Sequence, residues 1–412
     1  MAQKGVTVAN SAFPLYAIHM IGDQHVMIAG GGGQAKTGVG NAIEIYELKH
    51  FTGSCELRKV MSFDTDREAP MNCAVFKDDK NYTVAMGMDE KCVIYSLRHK
   101  IITPKKGSEL TEGIRKRRGN LTLSEDFNSA TKVVSFDMVQ SQSVQTDFSE
   151  PSGFQKVVRF TTDHSLMVTG GADHHIRVWR YPVMEKLYDI EAHTDEIDDI
   201  DLSPAGNRLV SISKDSHIHL WSLTHGTKVC ELTWTQPVTS RYRCRSCRYG
   251  RVIDKGRDTY NLFTTHLPVV RTARAQPCYI TKWNTTNHRP TLSVSLGTDP
   301  PSALAVSDNG VYVAVGSLSG TVSAFVSFSL QKVYEVKQVH SIFVTGLDFA
   351  PSSATSRAIT GNHDFTVFSI SADNQVKMHQ LAARAMYNPL WALAGFVLVI
   401  YLLFWLVSSY GL

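Results

Sequence analysis

A net excess of charge of one sign is nearly absent: lysine and arginine outnumber aspartate and glutamate by only four over 412 residues. A domain-wide basic footprint for nucleic acid is therefore excluded, leaving only local clusters to consider. Cysteine is sparse; the seven present are odd in number and follow no spacing framework. That argues against a disulfide-stapled secreted fold and for a reducing compartment. The opening MAQKGVTVANSAF contains no apolar run, so no signal peptide is expected. A complete phosphate-binding loop is also missing, although one stretch invites the comparison.

That stretch is Gly30-Gly31-Gly32-Gly33-Gln34-Ala35-Lys36-Thr37-Gly38. A phosphate loop requires Gly-x-x-x-x-Gly-Lys-Ser/Thr with a helix opening directly behind it. Counted from Gly30, the second glycine is replaced by Ala35, while Lys36 and Thr37 follow in place. The next segment, Asn41 to Leu48, alternates apolar and polar with period two, which predicts a half-buried strand and no helix N-terminus to hold an anion. The glycines need another explanation. Four in succession lose much conformational entropy on ordering, which implies a backbone geometry that side chains would forbid.

The interior of the chain repeats. Asp173 precedes Trp179 by six residues and Asp215 precedes Trp221 by six, with the two tryptophans 42 apart. This is the period of four-stranded WD-type propeller blades. Weaker copies run Asp89 to Tyr95, Ser319 to Phe325 and Asp373 to His379, and Trp283 lies 42 residues before Phe325. With a hairpin at Ile28–Leu48 the total is seven blades, and Val6–Ala9 is a candidate strand to close the ring. The strands of one blade are expected at Ile197–Leu202, Arg208–Ser213, Ile218–Leu223 and Lys228–Leu232, separated by turn residues. In this setting His193, Ser211 or Ser213, and Asp215 read as buried hydrogen-bonding ties between strands and not as a nucleophilic triad. In the first blade, Gly30–Gly40 replaces the short turn between second and third strands, so it should project from a rigid rim.

Two other segments carry possible chemistry. Residues 98–120 form a basic excursion from the second blade, ending in IRKRR, and are expected to be a solvated loop. Arg241–Arg251 contains Cys244-x-x-Cys247, but structural zinc needs four ligands and no second pair accompanies it. Its alternation suits an edge of a degenerate fifth blade.

Leu390–Val407 is an uncharged apolar run of 18 residues. As a helix it would be about 27 Å long. That suits a single span of the thinner endoplasmic reticulum membrane. Arg384 on its N-terminal side predicts that residues 1–385 are cytosolic and 408–412 lumenal. The expected fold class is therefore all-β, a seven-bladed WD-repeat-type propeller followed by one C-terminal transmembrane helix.

AGGGGQAKTGVGN, VQTDFS, QKVVRF, TGGADHHIRVW, the EAH of Glu191–His193, RYRCRSCRYG and the terminal apolar run occur in order along nearly the whole chain. Together they resemble the animal members of the endoplasmic reticulum exchange-factor family that starts COPII coat assembly. The resemblance implies guanine nucleotide exchange on the Sar-type small GTPase at that membrane, without covalent chemistry and with other exit-site proteins nearby. It implies that Gly30–Asn41 is the GTPase-facing loop, with Gly40 inside it, Val39 and Asn41 as its functional residues, and a potassium ion held by Gly32, Gly33 and Asn41. Lys36 departs from members with an uncharged residue there. The rival reading, a sequence-specific DNA-binding transcription regulator, rests on Arg115–Arg118 alone, and no DNA-reading module accompanies it.

Overall fold

The computed structural model describes residues 5–34, 38–51, 54–78, 81–102, 133–238, 240–254, 257–270, 275–383 and 389–410. Most of the basic excursion 98–120 lies outside these residues, as do Ala35, Lys36 and Thr37. Residues 98–102 of that excursion are not loop but the end of strand Lys91–Ile102, paired with Val133–Gln145; the remainder falls between these third and fourth strands of blade two.

Among the described residues, seven four-stranded antiparallel sheets make the body of the molecule. The first strand of each blade contacts the first strand of the next, from Leu15–Ile21 in blade one round to Val344–Phe349 in blade seven, which returns to blade one. Ring closure uses the N-terminus: Val6–Asn10 pairs with Gln375–Ala382 as the outermost strand of blade seven. The blade-four expectations hold to within a residue, the third and fourth strands being Ile218–Ser222 and Thr227–Glu231. Tyr242–Asp254, which carries Cys244 and Cys247, is the innermost strand of blade five. Both thiols are buried and free, and burial pushes each pKa up, as in inert core cysteines.

The repeat has a physical basis in two recurrent bulges. Where the third strand meets the fourth, the register slips immediately before Tyr46, Tyr95, Trp179, Trp221, Trp283 and Phe325. An extra residue on the outer strand bends it around the aromatic side chain and increases local twist. On the inner strand, a second bulge sets one residue out of register near its start in six blades. Several of these extra residues reach the following blade: Ser302 Oγ donates to Val344 O at 2.6 Å and Thr345 Oγ1 to Leu15 O at 2.6 Å. Lys156 Nζ reaches Glu196 Oε2 at 2.5 Å, and Asp198 accepts from Arg243 and Arg245. At these junctions the bulge ties a blade to its neighbour.

Blade four contains the expected tie. His193 Nε2 lies 2.7 Å from Ser211 Oγ, His193 Nδ1 lies 3.0 Å from Asp215 Oδ2, and Trp221 Nε1 donates to Ser211 Oγ at 2.9 Å. Burial opposes charge on Asp215, but hydrogen bonds from His193 and from the backbones of His217 and Thr194 outweigh it and hold the carboxyl well below the usual carboxylate range. In blade three, Trp179 Nε1 donates to Thr169 Oγ1 at 3.0 Å, and Asp173 pairs with Arg177 at 2.7 Å while accepting from Phe148 N.

A helix spans Pro389–Tyr410, and its described apolar side chains from Phe396 to Leu406 are exposed. Taken over the described residues alone, no helix is long and apolar enough to cross a membrane.

Candidate functional site

An antiparallel blade sends the turn between its second and third strands, and the link to the next blade, out of the same face. The glycine loop therefore shares its face with the links Ser11–Pro14 and Thr65–Met71 and with the Asp89–Glu90 turn of blade two. It is tied to all three. Gly31 N donates to Pro14 O at 3.0 Å, Asn41 Nδ2 donates to Asp66 O at 3.0 Å, and Gln34 Nε2 donates to Asp89 Oδ2 at 2.8 Å.

Asn41 closes the base of the loop. Its Oδ1 accepts from Gly33 N at 2.8 Å, its Nδ2 donates to Gly33 O at 3.3 Å, and its backbone carbonyl accepts from Thr65 N at 3.0 Å. The residue is only 3% exposed. Strand Asn41–Phe51 begins here, so the segment behind the loop is a strand, as its alternation predicts. The glycines at the mouth are sterically required. A β-carbon on Gly30 would lie 2.0 Å from Pro14 O, and one on Gly31 would lie 2.0 Å from Asn41 Oδ1. Farther out the requirement changes to conformation: Gly33 and Gly38 have φ of 70° and 78° with open space around them. Val39 is half-buried and packs on the core cluster that holds Val8, Phe13 and Leu15, while Gly40 is exposed.

The donor set at the base suits a large monovalent cation. Gly33 O and Asn41 Oδ1 are neutral oxygens, each accepting one hydrogen bond among the described residues and keeping a lone pair; Gly32 adjoins them in the chain. Carboxylates stand close by without joining the set. Asp64, Asp66 and Glu68, with Arg67 and Lys91, line an open depression of about 720 Å³ beside the loop base. Elsewhere on this face the chain exposes Phe148, Val269, Val270, Leu318, Ile342 and Phe343.

The WD domain, G-beta repeat model matches residues 144–180 and 184–222. These intervals run from the outermost strand of one blade into the next, the same stagger by which Val6–Asn10 closes the ring. Over 97% of its length, and 97% of theirs, the chain is 34% identical to the guanine nucleotide-exchange factor SEC12 of Rattus norvegicus and of Mus musculus. The chain belongs to the SEC12 family. A SEC12-like protein 2 of Arabidopsis thaliana is 25% identical over 201 residues, 49% of this chain and 48% of that protein. Within this SEC12-family propeller, the sequence located the loop and the strand that follows it. The anchors at Pro14, Asp66 and Asp89 lie 17 to 55 positions from their partners along the chain and carried no local signal.

Proposed function

We propose that this chain promotes GDP release and GTP loading on the Sar-type small GTPase of the COPII coat, at the endoplasmic reticulum surface, and so initiates coat assembly. The observation that carries the reading is a side-chain-poor loop clasped at its base by Asn41 and braced at its outer part by Gln34 on Asp89. An exchange factor needs no nucleotide site of its own. It lowers nucleotide affinity on its partner by binding the emptied state more tightly, so only differential affinity counts. Gly30–Asn41 enters beside the GTPase switch region and Val39 presents its uncovered surface. Asn41 positions the loop and exchanges its bonds to Gly33 and Asp66 for polar contacts as nucleotide leaves. The exposed apolar residues on the same face, Leu318, Ile342 and Phe343 among them, supply docking area.

In this reading Gly32, Gly33 and Asn41 hold a potassium ion, which when bound supplies positive charge that stiffens the loop base. Helix Pro389–Tyr410 is the membrane anchor, with residues 1–385 cytosolic and 408–412 lumenal; support comes from the uncharged run Leu390–Val407 and the exposure of Phe396–Leu406. Anchoring places the activated GTPase where an amphipathic helix can enter the bilayer.

The test is GDP release from the Sar-type GTPase with residues 1–385. Wild type should accelerate release, Val39→Ala with Asn41→Ala should abolish most of the acceleration, and sodium or lithium in place of potassium should reduce it. Full activity in the double variant overturns the role of the loop.

A further inference from the structure

On blade four, two histidines and a glutamate converge outside the loop and outside the buried tie. Cross-strand register places His219 opposite Glu231, and His217 precedes His219 by two residues, so all three side chains share one face of the sheet. Their ligating atoms lie within 4.8 Å of one another: His217 Nδ1 is 2.7 Å from Glu231 Oε1, and His219 Nε2 is 3.9 Å from Glu231 Oε2.

His219 is already oriented as a metal ligand would be. Its Nδ1 lies 3.0 Å from Ala192 O, and since a carbonyl only accepts, Nδ1 must carry the proton. In the neutral ring Nε2 then holds a lone pair aimed at the Glu231 carboxylate. Two acceptors facing each other across 3.9 Å gain nothing directly and leave a place that a cation, a proton or a bridging water can fill. A histidine whose second nitrogen donates to a backbone carbonyl is the usual outer-shell support of a metal site. His219 is held rigidly as well, stacked on His193 at 4.5 Å with its side chain 11% exposed. His217 and Glu231 are 49% and 44% exposed and bonded to one another, His217 Nδ1 donating to the carboxylate a proton that a bound ion would displace. Among the described residues, the competing cationic side chain facing the carboxylate is Lys228, its Nζ 3.9 Å from Glu231 Oε2.

We propose that His217, His219 and Glu231 form a binding site for a borderline divalent transition-metal ion, zinc in the cell, with water completing its shell. Two imidazoles and one carboxylate are a zinc donor set, calling for bonds of about 2.0–2.2 Å. The ion would fasten the third strand of blade four to its outermost strand and, through His219, to the link carrying Ala192. The site does not depend on the exchange reading.

The experiment uses the untagged full-length chain in detergent micelles, stripped with chelator and titrated with Co²⁺ and then Zn²⁺. One Co²⁺ per chain should give a visible ligand-field band that Zn²⁺ displaces, and Zn²⁺ should raise the unfolding temperature. His217→Ala and Glu231→Gln alter exposed positions and should fold normally; each should weaken Co²⁺ binding at least tenfold. Absence of a band in wild type, or a band unchanged in both variants, overturns the assignment. GTPase exchange by the stripped chain is measured in parallel, so its failure is distinguishable from failure of the metal site.

Discussion

Gly31 and Asn41 are register partners at the mouth of the loop, so close that a β-carbon on Gly31 would lie 2.0 Å from Asn41 Oδ1. The absence of a side chain at one position is what lets the other turn inward and hold Gly33. Gly31→Ala should therefore displace the Asn41 amide, costing on the order of 1–3 kcal/mol locally for the buried polar groups left unpaired. The expected outcome is at least a tenfold slower nucleotide exchange with the far-ultraviolet spectrum unchanged. Wild-type exchange would show that the clasp is dispensable.

Gln34 tests the outer brace separately. Gln34→Ala removes an exposed hydrogen bond to Asp89, so the melting temperature should stay within about 2 °C, in keeping with a surface change of roughly 0.5 kcal/mol. Exchange should fall a few-fold, and Asp89→Asn should fall less because an amide oxygen can still accept.

Blade seven rebuilds the buried tie with a histidine in the aromatic position. His340 Nε2 lies 2.7 Å from Ser369 Oγ, which lies 2.8 Å from His379 Nε2, while His340 Nδ1 faces Asp373 at 3.1 Å. If His340 donates to Asp373, Ser369 donates to His340, and His379 must donate to Ser369. The remaining nitrogen of His379 then accepts from the Tyr334 hydroxyl at 3.0 Å. Tyr334→Phe should leave that nitrogen unsatisfied and destabilise the propeller by about 1–3 kcal/mol, and Ser211→Ala in blade four should cost about as much or more because it strips both His193 and Trp221. Denaturant titration measures both.

Acid should weaken the fold through its buried histidines, His25, His266 and His379 among them. Burial holds His25 down to about 4, and His266 and His379 down to about 3, from 6.5. Between pH 6.5 and those values the unfolded chain binds protons that the native state refuses, so stability falls as pH falls, by at most about 1.4 kcal/mol per pH unit for each histidine. The melting temperature should decline steadily below pH 6.5. His266→Phe, which keeps an aromatic ring against Trp234, should reduce the slope.

The sequence by itself determined the blade count, the six-residue spacing that ends on the third-strand aromatic, and the place of the glycine loop. Each of these is set by local periodicity or by a residue type whose conformational freedom is intrinsic. Tertiary structure decided what that loop leans on and which groups are spent inside it. Asn41 reads as a functional residue of the loop, and tertiary structure sets its resting place at the buried loop base, where Gly33 and Asp66 reach it across separate turns. Likewise His217, His219 and Glu231 are unremarkable in line; only the cross-strand register of blade four brings their ligating atoms together. Pairing between distant segments follows from how the blades pack, and no short stretch of sequence encodes that.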